Sequence, residues 1–157
     1  MTDARFEDGR DAPLHLKALD AEDLRVISSL AQDAVLPVTE MKWQAGRRRF
    51  ALLLNRFRWE DAAAATRRKR DFERVQSVLV VEDVMKVSSQ GIDRADADLV
   101  LSLLSIDFEP GQDGTGRLIL TLAGDGAVAL TVEALDVTLK DVTRPYIAPS
   151  RQAPQHP

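Results

Sequence analysis

The stretch "GRLILTLAGDGAVALTV" at 116–132 constrains the fold of this chain more than any other. Two runs of alternating character flank the "GDG" of residues 124–126. A period of two puts every second side chain on one face of a strand. Glycine and aspartate accept the positive φ that a tight hairpin turn requires. The stretch therefore predicts two antiparallel strands joined by a short loop. The same period recurs in "SIDFE" (105–109) and in "LDVTLKDV" (135–142), where pairing is expected to extend to about 141. Phe50–Leu54 is apolar at every position, which predicts a strand buried on both faces. Phe72–Val87 is rich in valine and reads as one long strand or as two with a bend. Leu52, Leu54, Leu120 and Val132 lie inside these runs and are the expected core.

One clear helix precedes the strands. Asp20 is placed to cap it, and Glu22 and Asp23 stand near its positive end. Leu24, Ile27, Ala31 and Ala34/Val35 recur at helical spacing, and Pro37 should end the helix near Leu36. Val38–Gln44 reads as a short, half-polar strand and "AGRRR" (45–49) as a turn. "EDAAAATRRKRD" (60–71) loses the β pattern and has no large apolar anchor, so it predicts a loop, at most with a helical turn. Residues 95–103 read equally as a short helix or as the start of a strand. The sum is an α+β fold, predominantly antiparallel β, with an N-terminal helix. The order of elements also fits two related αβββ units forming a sandwich or open barrel.

At 157 residues the chain is one domain by default. Residues 1–13 are polar and charged and are expected to be a mobile N-terminal arm. Residues 143–157, "TRPYIAPSRQAPQHP", hold four prolines and predict a flexible, extended tail. The folded unit is then 14–142.

Composition removes several chemistries. There is no cysteine, so disulfides, thiolate nucleophiles and cysteine-based metal sites are excluded. The two histidines, His15 and His156, have no partner at metal-ligand spacing. "GIDRADAD" carries Asp93, Asp96 and Asp98, but a calcium loop starting at Asp93 would need glycine at its sixth position and glutamate at its twelfth. Asp98 and Leu104 stand there. Helix capping and a charged turn account for these aspartates. The glycines of "GQDGTG" and "AGDGAV" form no phosphate-binding loop and read as turn positions. No catalytic, cofactor-binding or metal-binding residue is assigned, and no cofactor is expected. No apolar run approaches the ~20 residues of a membrane span. The N-terminus lacks an apolar signal region, so a cytoplasmic location is expected.

Charge is unevenly distributed. Residues 47–74 hold ten basic residues against four acidic ones, in a chain whose net charge is −4. Such asymmetry marks a candidate surface for an anion or an acidic partner. The candidate residues are Arg47, Arg48, Arg49, Arg67, Arg68, Lys69 and Arg70. Between them, Phe57 and Trp59 alternate with Arg56 and Arg58. On a nucleic-acid surface the aromatics would stack bases. On a half-buried strand the aromatics face inward and the arginines face water, and this is the preferred reading.

The segments "LKALDAEDLRVISSLAQDAV", "RRFALLLNRFRWE", "FERVQSVLVVEDV" and "GIDRADAD" resemble those of a family of small uncharacterised bacterial proteins, a domain of unknown function common in alphaproteobacteria. The resemblance covers about 14–142. It implies a housekeeping cytoplasmic role and transfers no activity and no site residues.

The function read from the sequence is a non-catalytic binding or scaffold module acting through protein contacts. The alternative is a module binding RNA or another anionic ligand through 47–70. An enzyme ranks third, since no nucleophile, metal site or cofactor loop stands out. The edges of an open sheet further predict a homodimer.

Overall fold

The computed structural model describes residues 12–147 and 153–154. The expected arm over 1–13 therefore lies almost wholly outside the described residues, as does most of the expected tail. The chain runs β1 (His15–Ala18), α1 (Ala21–Ala31), β2 (Ala34–Pro37), β3 (Met41–Gln44), β4 (Arg49–Phe57) and α2 (Trp59–Arg67). It continues through β5 (Glu73–Val81), β6 (Val84–Gln90), β7 (Val100–Pro110), β8 (Gly116–Leu122), β9 (Gly126–Val132), β10 (Val137–Asp141) and β11 (Tyr146–Ile147). The fold is α+β, with a mostly antiparallel, unclosed sheet and two helices.

The sheet order is β1-β10-β5-β4-β2-β7-β8-β9-β6, with β3 added to β4 and β11 added to β5. The central hairpin is β8–β9, where Leu122 pairs with Gly126. Gly124 (φ 80) and Asp125 (φ 67) take the left-handed turn positions that the "GDG" signal called for. Valine-rich 72–87 is two strands with a bend at Asp83 (φ 57). Only Glu82 and Asp83 separate β5 from β6, yet β5 is third and β6 last in the sheet order. The sheet therefore curls back on itself. The Val84 amide donates to the Arg48 carbonyl at 2.8 Å and ties the start of β6 to the start of β4.

The even positions Phe50, Leu52 and Leu54 of β4 are buried, as are Leu79 and Val81 of β5, Leu120 of β8 and Val132 of β9. The four expected core residues are all among the buried set. Ala51 and Leu53, on the other face of β4, are only half-buried. The expectation of burial on both faces is thus met on one.

Three local readings need correction. First, α1 stops at Ala31 rather than near Leu36. Asp20 caps its start, accepting from the Asp23 amide at 2.9 Å, and Leu24, Ile27 and Ala31 form its buried face. Asp33 then takes φ 64, and Ala34–Pro37 becomes a strand that joins β4 to β7. Bridging two strands buries Ala34 and Leu36 and satisfies backbone groups on both sides. A helix continued past Ala31 could not do both.

Second, residues 59–67 are a helix, not a loop. Four alanines favour it, Glu60 and Asp61 suit its start, and Arg67 suits its end. Its missing anchor is Trp59, whose indole N–H donates to the Gln32 carbonyl at 2.9 Å. Phe57 packs edge-on against Trp59, with ring centres 4.6 Å apart, and against Phe72 at 5.5 Å.

Third, residues 93–99 form turns, and the strand begins at Val100. The Asp93 side chain accepts from the Ala95 amide and that of Asp96 from the Asp98 amide, both at 3.1 Å. These aspartates cap turns, not a helix. The second αβββ unit consequently has no helix among the described residues, and α2 instead interrupts the first unit.

Candidate functional site

Arg56 and Arg58 do not face water. Arg56 continues the core face of Phe50, Leu52 and Leu54 and is fully buried. Its guanidinium meets both oxygens of Asp141 at 3.0 and 3.1 Å and both oxygens of Glu60 at 2.8 Å. Ser77 donates to Asp141 at 2.6 Å, and the Leu14 amide donates to the same carboxylate at 3.0 Å. Burial alone would lower the Arg56 pKa, but the hydrogen bonds and charges of Glu60 and Asp141 outweigh it and raise the value.

Arg58 is buried too. It pairs with Glu73 at 2.6 Å. Phe57, between the two arginines, is fully buried under Trp59 and Phe72. Expected alternation with water on one side fails here because Arg56 takes the core face, matched by Glu60 and Asp141, while Arg58 is matched by Glu73. Phe57 has no exposed ring face to offer a base.

The seven candidate basic residues fall into two groups. Arg47, Arg48 and Arg49 sit at the β3–β4 turn, whereas Arg67, Arg68, Lys69 and Arg70 follow α2. The nine residues of β4, about 26 Å of extended chain, connect one group to the other region. Arg48 pairs with Glu133 at 2.9 Å, Arg49 with Glu82, and Arg70 with both oxygens of buried Asp61 at 3.0 and 3.1 Å. Burial would raise the Asp61 pKa, but the Arg70 hydrogen bond and the Arg58 and Arg70 charges hold it below the ordinary range. Arg47, Arg67, Arg68 and Lys69 are exposed and form no ion pair among the described residues. The segment is therefore not one continuous basic surface.

A different place brings unmatched groups together. β6 ends the sheet and pairs only with β9, and β3 pairs only with β4. Among the described residues, the outer edge of β6 takes one backbone hydrogen bond, from the Val84 amide to the Arg48 carbonyl, and none along residues 85–90. Both strands line one small cleft, β3 through Met41 and Trp43 and β6 through Val87 and Ser89. Phe50, Val38 and Val128 complete its apolar floor, and Arg94 stands at its rim. Arg94 is exposed and has no ion-pair partner among the described residues. The cavity is about 40 Å³. That admits a water molecule or the tip of a side chain, not a cofactor, which needs roughly 300 Å³ or more.

Left-handed backbone positions stand at both ends of the seam. Arg48 takes φ 53 to turn β3 into β4. Gly91 takes φ 68 to end β6, and a Cβ there would meet the Asp125 carbonyl oxygen at 2.8 Å. A turn glycine after "SSQ" is what the sequence predicts. The cleft itself is not legible there, because it depends on the curl that brings residues 41–50 beside 87–94.

A family model described as a protein of unknown function, DUF2948, matches residues 14–156. The chain belongs to this family. The match confirms the resemblance drawn from its segments and extends it past residue 142. No curated protein and no solved structure matches the chain. No helix among the described residues is long and apolar enough to cross a membrane.

Proposed function

We propose that the chain is a non-catalytic module acting through protein contacts, and that its docking surface is the seam between β3 and β6. One observation carries this reading. Two edge strands line a common apolar cleft, and beyond Val84 the outer edge of β6 has no backbone partner among the described residues. Exposed edges are templates for pairing with another chain, and proteins that keep them use them or blunt them. Arg48, Arg49 and Arg70 of the basic segment are already matched by carboxylates of the same chain. Arg56, Ser77 and Asp141 are buried and bonded to one another, so they serve the fold.

The expected homodimer rests on open edges alone. Lys86 in β6 and Lys17 in β1 stand on the two terminal strands. Like charges on an edge oppose pairing with a second copy and leave a foreign strand as the favoured occupant.

A proline scan of the seam tests the reading. Neighbouring residues of an edge strand point their N–H groups in opposite directions, so one of Ser88→Pro and Ser89→Pro blocks the free edge without breaking the β6–β9 ladder. Both variants are used as bait beside the wild type, and captured proteins are identified by mass spectrometry. The folded proline variant should lose a protein that the wild type retains. Equal capture by all folded forms would overturn the reading.

A second reading keeps Arg67, Arg68 and Lys69 as a phosphate-binding patch, because these three are exposed and adjacent. Their separation from Arg47 and the enclosure of Phe57 leave it without the stacking platform that single-stranded nucleic acid uses.

A further inference from the structure

We infer that the seam receives an extended, acidic segment of a partner protein. The segment adds as a strand to the free edge of β6. It seats one small apolar side chain between Trp43 and Val87 and gives a carboxylate to Arg94. This inference rests on the protein-contact reading and adds the chemistry of the partner.

Three features define the occupant. The first is the edge itself. β6 offers seven residues in extended conformation, with Ser88, Ser89 and Gln90 exposed. Backbone groups along such an edge are satisfied by another extended backbone, not by a helix or a compact ligand. The second is the size of the cleft. At about 40 Å³ over a floor of Phe50, Val38 and Val128, it suits a short aliphatic side chain. The third is charge. β3, the turn after it and β6 carry Lys42, Arg47, Arg48 and Lys86 and no carboxylate. Arg48 is already matched by Glu133, whereas Arg94 at the rim is not matched. The neighbouring Asp93 and Asp96 each accept a hydrogen bond from the backbone of their own loop.

The same charges argue against a second copy as occupant. Two β6 edges brought together would place two Lys86 side chains on one ribbon with no carboxylate on either strand. An acidic strand removes that penalty and gains complementary charge, which sets partner choice.

The test uses the full chain labelled with nitrogen-15 and two probes. One is an acetylated, amidated peptide of alternating glutamate and valine, matched to β6 in length. The other replaces glutamate by lysine. Trp43 lines the cleft and Trp59 opens α2 and bonds to Gln32, so the two indole N–H signals separate the seam from the rest of the fold. The glutamate peptide should shift the Trp43 indole and the β6 amides and leave Trp59 in place. The lysine peptide should bind at least about ten-fold more weakly, about 1.4 kcal/mol. Arg94→Glu should reverse that preference while leaving the spectrum otherwise intact. Equal response to both peptides would overturn the inference, as would shifts confined to residues near Arg67. No response to either peptide would also overturn it. A chain mass that doubles with concentration as the β6 signals shift would assign the seam to a second copy and overturn it too. Failure here leaves the wider protein-contact reading to stand or fall on the proline variants, whose readout involves neither peptide.

Discussion

Arg56 and Asp141 meet at 3.0 Å across β5, with the Ser77 hydroxyl donating to Asp141 between them. Three neighbouring strands thus close the end of the core with a polar plug rather than with leucine. The plug also holds α2 through Glu60 and β1 through the Leu14 amide.

Removing one side of this buried pair leaves the other charge without its match. Arg56→Met should therefore lower the unfolding free energy by about 3–5 kcal/mol. Adding Asp141→Leu to it should cost less than the two single changes together, because the stranded carboxylate goes as well. Urea unfolding of the two single variants and the double variant measures this. Additive losses would show that the residues do not act as a pair.

Asp61 carries a pH-dependent part of the stability. Its folded pKa is lowered, so its contribution is present above the unfolded aspartate value of about 3.9. That contribution is lost as pH falls through the lowered folded value. Asp61→Asn mimics the protonated state. Its stability deficit should be full near neutrality and should shrink on acidification below about pH 4. A deficit independent of pH between neutrality and the acid limb would contradict the ion pair with Arg70.

The basic patch after α2 is solvated. Replacing Arg67, Arg68 and Lys69 by alanine should change stability by no more than about 0.5 kcal/mol. A gel shift with RNA and DNA at low salt should show no retardation by the wild type. Retardation that weakens steeply with salt and vanishes in the triple variant would establish the phosphate-binding reading instead.

Much of the fold was legible in the sequence, because period-two patterns and turn residues act locally. The "GDG" hairpin, the bend within 72–87 and the burial of Leu54 and Leu120 follow from such signals. What was not legible depends on neighbours distant in sequence. Ala34–Pro37 left the helix because β4 and β7 both needed a strand between them. Arg56 and Arg58 keep the alternation of a surface strand but are buried against Asp141 and Glu73, carboxylates that no local pattern brings there. The seven basic candidates were visible as a cluster. Their division across the length of β4, and the carboxylates that occupy Arg48, Arg49 and Arg70, were not. Trp43 and Arg94 drew no attention, since one sits in a half-polar strand and the other among aspartates.

Amide hydrogen exchange of β6 in the free protein tests the central claim most directly. An open edge bonds to β9 through alternate residues only, so protection along 85–90 should alternate between fast and slow amides. The fast set should become protected when the glutamate–valine peptide is added. Uniform protection in the free chain at low concentration would mean that the edge is already covered, and would contradict the account.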